Sequence, residues 1–447
     1  ETSNADVNRL ISNVLWGQRG NYLSVPTDCP QRDERLGWTG DTQAFCCTAA
    51  YNADVDGFFH KWLQDARDSQ AENGMYPDVI PKVRVVGWGG AAWSDAGIIV
   101  PYTMWKMYAD TDIIREHYAS MERYMDWLAT TDLSGPNATY GDWLAYEPTD
   151  ARYISVAYYA LDARYMAAMS RAIDRADRAA HYDSLFEQVR DHFRRIYCNA
   201  EGDLNPEVRT QTGYLLALRN DLLLPERRPA AVAALKQKII DNGYKLSTGF
   251  VGSCILNEVL AEFGENDLAY SLLLQTENPS WLYSVHQGAT TIWERWNSYT
   301  KATGFGDVGM NSFNHYAYGA VQEWMYRHIA GIETTEQAPG FAHPILQPKP
   351  DTRSAEEIPA GQEKITWVRT SFASPVGLIE SAWDMTDGFT YTCRVPVAAT
   401  LHLPLIGNAE TLVINGVAHK PDEFRLCPVG KGVTIELAPG AYTIEQK

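Results

Sequence analysis

Cysteine is scarce and odd in number, seven in 447 residues, with no CxxC pair and no His/Cys spacing of a zinc site. Cys46 and Cys47 are neighbours in an expected helix, where a mutual disulfide is geometrically disfavoured, so the cysteines read as buried thiols. Basic charge is short as well. Against 56 acidic residues stand 38 Lys and Arg, a net −18 that leaves no electrostatic footprint for nucleic acid or an anionic membrane. No apolar run approaches the roughly 20 residues of a membrane span, and a soluble chain is expected, with cytoplasmic and exported compartments both open. There is no EF-hand loop, no HExxH and no cluster of histidines, so no metal or other cofactor is expected, although acidic loops can hold an incidental Ca2+. Glu1 is not an initiator Met and no signal peptide precedes it, so the sequence reads as a piece of a longer chain.

Aromatic residues, in contrast, are plentiful. Fourteen Trp and twenty-five Tyr exceed what packing alone asks for, and stacking on sugar rings is one use of the surplus. From about 4 to 332 the chain is a succession of amphipathic helices. Ile114, Tyr118, Met121, Met125 and Leu128 make one stripe, and Leu185, Val189, Phe193 and Ile196 another. About a dozen helices are predicted, near 4–16, 40–51, 54–70, 93–109, 112–130, 151–174, 178–198, 206–220, 226–243, 247–263, 266–276 and 312–330. Joined by short turns such as 109–111, six antiparallel hairpins can close into an (α/α)6 barrel. An open solenoid is the alternative, but no repeat period supports it. The intervening 17–38, 71–92, 131–150 and 279–311 are long loops, where barrels place chemistry.

After Gly331 the texture changes to short alternating strands. Leu401, Leu403 and Leu405 alternate, as do Val433, Ile435 and Leu437, and Asn415-Gly416 is a hairpin signal. The expected division is a catalytic barrel over 1–335 and an antiparallel β-sandwich over 340–447 that packs on it, with sugar binding as its minority role.

The densest chemistry lies in DCPQRDERLGWTGD, 28–41, which holds four carboxylates, two arginines and a tryptophan, broken by Pro30, Gly37 and Gly40. Glycoside cleavage needs a carboxylic acid for the leaving oxygen, further carboxylates for hydroxyls and an aromatic face for the ring.

The longer stretch SVPTDCPQRDERLGWTGDTQAF, Ser24 to Phe45, resembles the signature of the α-L-rhamnosidases of glycoside hydrolase family 78. TTIWERW, Thr290 to Trp296, and MNSFNHYAYGAV, Met310 to Val321, follow in that family's order, and the resemblance covers about 1–447. It implies a helical barrel, hydrolysis of terminal α-L-rhamnose and inversion at the anomeric carbon. Family members usually carry β-sandwich domains upstream of this point, whose substrate contacts this sequence would lack.

By family position, Glu34 is the general acid and Glu294 the general base. Asp28, Asp33 and Asp41 would raise the pKa of the acid by like-charge repulsion while Trp38 excludes water; Arg32 and Arg35 push the other way. A salt bridge to either arginine is the structural alternative for Glu34, and Asp33 or Asp28 the alternative acid. Glu294 sits between Trp293 and Trp296, and adjacent side chains diverge, so Arg295 is poorly placed to pair with it. Inversion requires carboxyl groups roughly 6.5–9.5 Å apart.

Asp28, Asp41 and His315 are the hydroxyl partners implied by the resemblance, with Arg32 and Asp33 beside them. Trp38, Trp93, Trp143 and Trp296 are candidate apolar walls, and Asp95 and Asp142 weaker additions. Cys29 fills space beneath the loop. The expected partner is a carbohydrate substrate; oligomeric state is open. Rival readings are another (α/α)6-barrel glycosidase or a phosphorylase of fucose or glucose type, an inactive carbohydrate-binding homologue, and a polysaccharide lyase, whose anionic substrate the acidic loop would repel.

Overall fold

The computed structural model describes residues 1–83, 86–428 and 430–447; Arg84 and Val85, inside the expected 71–92 loop, and Val429 lie outside the described residues. Helices α1 (Ala5–Asn21), α2 (Thr39–Asn52), α3 (Asp56–Ser69), α4 (Ala96–Tyr108), α5 (Thr111–Leu128), α6 (Ala151–Ala172), α7 (Ala176–Tyr197), α8 (Gln211–Arg219) and α9 (Arg228–Asp241) start the chain. Short polar side chains fix several starts: Asp110 and Asp150 each accept from two backbone N–H groups of the first turns of α5 and α6, and Thr210 accepts from Gly213 in α8. Even-numbered helices α2, α4, α6 and α8 are buried on nearly every side. The odd-numbered α3 and α7 bury one stripe. That alternation is what two concentric rings demand, and the helices form an (α/α)6 barrel.

The expected 247–263 helix is divided into α10 (Phe250–Ser253) and α11 (Leu256–Glu262), and α12 (Asn266–Leu273) follows. A short α13 (Trp281–His286), capped by Ser280, was not anticipated inside the long loop. The last helical stretch begins later than predicted. Residues 292–294 pair with 312–315, through Glu294 N–H to Ser312 O at 3.0 Å and His315 N–H to Ile292 O at 2.9 Å. Helix therefore starts only at Ala317, as a 3-10 turn, α14 (Val321–Trp324) and a π turn to Ile329. The Ile114 to Leu128 stripe is buried throughout; Ile196, at the end of the second stripe, is exposed.

Strands β1 (Tyr299–Thr300) and β2 (Gly304–Phe305) form a small hairpin within the barrel's last long loop. The remaining strands are β3 (Ile332–Glu333), β4 (Ile345–Leu346), β5 (Trp367–Ser374), β6 (Gly377–Asp384), β7 (Thr390–Val395), β8 (Ala399–Pro404), β9 (Leu412–Ile414), β10 (Val417–His419), β11 (Arg425–Leu426), β12 (Gly432–Leu437) and β13 (Gly440–Gln446). They make two sheets, ordered β10-β9-β13-β7-β6-β5 and β11-β12-β8-β4-β3. Strand β3 already belongs to a sheet although it precedes residue 335. Asn415 and Gly416, both at positive φ (49° and 84°), turn the β9-β10 hairpin. Trp383 donates to Ile329 O at 2.9 Å and Ser381 to Ala330 O, while Phe372 of β5 packs on Tyr51 with ring centroids 5.0 Å apart, joining the sandwich to the barrel. All seven cysteines are free.

Candidate active site

Asp28 closes the acidic loop on itself: its N–H donates to Leu36 O and its Oδ1 accepts from Leu36 N–H, both at 2.9 Å. This nine-residue loop projects Arg32 and Glu34 inward, and Asp41 follows from the first turn of α2. The late segment 290–296, held against 312–315, delivers Glu294 and His315 to the same place. A cavity of about 190 Å3 results, lined by Asp28, Arg32, Glu34, Trp38, Asp41, Trp93, Tyr140, Trp143, Phe250, Glu294, Met310 and His315. Glu34 and Glu294, 260 positions apart in the chain, face one space.

One nitrogen of Arg32, Nη2, ties the pair together. It binds Glu34 Oε2 and stands 3.5 Å from Glu294 Oε2. The two Oε2 atoms therefore lie within about 6 Å of each other, below the roughly 6.5–9.5 Å expected for inversion. Among the described residues Arg295 makes no ion pair with Glu294; Trp293 turns away and packs edge-on against Phe313.

The carboxyl pKa pattern differs from expectation. Burial raises Glu34, but the hydrogen bonds from Trp38 Nε1–H, at 2.8 Å, and from Arg32 outweigh it, and the Glu34 carboxyl sits below its ordinary value. The raised carboxyl is Asp28 instead, pushed up to about 7 by burial, with Asp41 and Glu34 adding to the effect and His315 opposing it. His315 is taken the other way from its burial penalty. The Asp41 carboxylate, whose Oδ1 is 3.0 Å from His315 Nε2, together with Glu294 and Asp28, raises His315 to about 9, so it is a cation at neutral pH. Asp28, Cys29 and His315 offer metal-ligand atoms within 4.8 Å of one another, but a protonated imidazole and a thiol that burial keeps protonated are poor ligands. Among the described residues Arg32 Nη1, Glu294 Oε2 and His315 Nδ1 are buried without a hydrogen-bond partner. Three such atoms in one cavity are what a polyhydroxylated ligand would satisfy.

Four nominated residues lie off the cavity. The Asp33 side chain is fully exposed beside Arg35, because the loop turns outward there. Asp95 is buried behind the wall, accepting from Tyr124 OH at 2.8 Å and from Ala92 N–H. Asp142 accepts from the N–H groups of Gly249, Val251 and Gly252 and so caps the short α10, which carries Phe250. Trp296 stacks on Tyr318 with centroids 3.9 Å apart and donates to Thr248 O, bracing the Glu294 segment from outside.

Tyr140, Phe250 and Met310 were missed. Tyr140 wedges between Trp38 and Trp93, at centroid distances of 5.4 and 4.6 Å, with its OH on Asp78. It stands three residues from Trp143 and shared that loop's signal. Met310 opens the third quoted motif, whereas Phe250 sat inside an expected helix and carried no signal. The Trp93 ring lies so close to Gly40 that a Cβ there would be 2.4 Å from Trp93 Cε2, so only glycine lets the ring reach its place. A larger cavity, about 400 Å3, opens among Lys106, Arg164, Arg219, Glu323 and Arg327, away from the Glu34–Glu294 pair.

Residues 1–329 match the bacterial α-L-rhamnosidase six-hairpin glycosidase domain, and residues 331–417 the bacterial α-L-rhamnosidase C-terminal domain. The chain belongs to the bacterial α-L-rhamnosidase family. A Formosa agariphila α-L-rhamnosidase is 40% identical over 426 residues, covering 93% of this chain and 44% of that relative. The Streptomyces avermitilis α-L-rhamnosidase, solved in complex with L-rhamnose, superposes with a TM-score of 0.90 at 36% identity, covering 100% of this chain and 42% of that one. The α-L-rhamnosidase of Dictyoglumus thermophilum gives 0.89 at 30% identity, over 100% and 50%. The chain thus spans about half or less of these rhamnosidases. Among the described residues no helix is long and apolar enough to cross a membrane.

Proposed function

We propose that this chain hydrolyses terminal non-reducing α-L-rhamnosides with inversion, Glu34 protonating the leaving oxygen and Glu294 activating water. The observation that carries the reading is Arg32 Nη2, which touches both carboxylates inside one aromatic-walled cavity. A cavity of about 190 Å3 suits a single sugar ring and so an exo mode, being smaller than the ~300 Å3 and above of sites for larger ligands. Trp38, Trp93, Trp143 and Phe250 offer apolar faces to ring C–H groups and the C6 methyl, while Asp28, Asp41, Arg32 and His315 serve the hydroxyls. Arg32 pairs with both carboxylates before substrate arrives. A sugar hydroxyl that draws Arg32 away would leave Glu34 with a higher proton affinity and open the space between the pair to a water. Two carboxylates suffice for this chemistry and no cofactor enters it.

The elevated pKa of Asp28 favours one second reading, in which Asp28 is the proton donor. Rhamnosides with good and poor leaving groups separate the two. With Glu34 as acid, E34Q loses far more rate on the alkyl than on the nitrophenyl rhamnoside, and D28N loses both alike; Asp28 as acid reverses the pattern. E294Q should abolish turnover on both. A strict requirement for phosphate, or release of fucose or glucose in place of rhamnose from a glycoside panel, would overturn the assignment.

A further inference from the structure

Behind the Trp93 wall, α6 buries Asp162 completely, with 0% of its surface exposed, and among the described residues neither carboxyl oxygen receives a hydrogen bond from an N–H or O–H. No lysine, arginine or histidine stands within ion-pair distance among the described residues. A carboxylate in that position would lose its hydration with nothing in exchange. The group that meets it is a second carboxyl, Asp95, also buried, at the N-terminus of α4. Asp95 is supplied with donors: Tyr124 OH from α5 at 2.8 Å and Ala92 N–H at 2.5 Å. Two carboxyl groups in contact cannot both ionise, and the one without donors keeps the proton.

We propose that Asp162 is a neutral carboxylic acid that donates its proton to Asp95, and that this pair fixes the Trp93 wall of the cavity. The groups facing it from the packed elements are Asp95 of α4, Tyr124 of α5 and Tyr159 of α6, the last with an unpartnered hydroxyl. Burial, then the Asp95 charge, pushes Asp162 well above the carboxylate range; Asp95 is raised by burial and eased back by Asp162, Tyr124 and Ala92 N–H. The link to the site is short. Asp95 Oδ2 holds the N–H of Ala92, a non-glycine residue at φ 67°, and the next residue is Trp93, wedged between Gly40 and Tyr140. Asp162 is thus a positioning residue, and only its effect on turnover rests on reading the cavity as a rhamnoside site.

Urea unfolding of wild type, Asp162→Asn and Asp162→Val between pH 5 and pH 8 tests the proton. Folded Asp162 keeps a proton that the unfolded chain releases near pH 4, so wild type loses stability relative to D162N as pH rises, up to about tenfold in the unfolding constant per pH unit. A D162N-to-wild-type difference that stays flat across this range overturns the proposal. Should D162N not fold, Asp162→Ser, whose hydroxyl also donates to Asp95, takes its place in the same comparison. For the positioning role, D162N keeps a donor for Asp95 and D162V does not. The expected result is a KM for an aryl α-L-rhamnoside about tenfold higher in D162V and restored in D162N; equal KM values in the two variants refute that role. If wild type cleaves no rhamnoside, the function falls while the unfolding comparison still decides the proton.

Discussion

Replacing Trp38 by phenylalanine removes the indole N–H that donates to Glu34 Oε1 at 2.8 Å and leaves a smaller ring on the cavity wall. A hydrogen bond to an ionised acceptor contributes about 1.5–3 kcal/mol. The Glu34 side chain is 27% exposed, which places the effect at the lower end and corresponds to about one pH unit. The sign follows from which form the bond serves. Trp38 stabilises the carboxylate, so its loss raises the pKa of Glu34. If protonated Glu34 is the catalytic acid, the alkaline limb of kcat/KM for an aryl α-L-rhamnoside moves up by about one pH unit in W38F. The plateau itself should fall about tenfold from the smaller wall, but plateau height and limb position are read separately. An alkaline limb that stays in place, or moves down, refutes Glu34 as the titrating acid; Asp28, which Trp38 does not hydrogen-bond, would leave it in place.

Three further outcomes are expected. The His315 pKa is raised to about 9 in the folded chain, against about 6.5 unfolded, so its stabilisation is complete below pH 6.5 and lost as pH climbs through 9; urea unfolding should show the wild-type advantage over H315Q shrinking across that window. In G40A a methyl is driven into the Trp93 ring, and overpacking of about 1–3 kcal/mol should lower Tm while KM rises with the displaced wall. In D142A the α10 cap is lost and buried N–H groups are left unpaired, costing about 1–3 kcal/mol in urea unfolding and loosening Phe250.

The helical barrel was legible because its helices repeat apolar residues with helical spacing and are punctuated by Asp110, Asp150 and Thr210 caps. Periodicity overran the helix starts at 93 and 312. Trp93 lies in tight turns closed by Gly90 O and the Asp95 side chain, and His315 is held by a bond to Ile292 O, distant in sequence; apolar spacing records neither. The paired carboxylates, Arg32 and most walls could be named because they sit in motif-bearing loops. Burial could not: Asp95 and Asp142 have the residue types of ligands but satisfy backbone N–H groups behind the wall. The electrostatic expectation for Glu34 failed for a related reason. Like charges crowd the sequence around it, yet in space a donor from Trp38 and the guanidinium of Arg32 are closer than any carboxylate repulsion can offset.

The most direct measurement is proton NMR of the first turnovers on an aryl α-L-rhamnoside, compared across wild type, E34Q and E294Q. Wild type should release L-rhamnose that appears first as the β anomer and mutarotates later, with E294Q silent. Initial release of the α anomer, or undiminished release by E294Q, would contradict two carboxylates acting from opposite sides of one sugar.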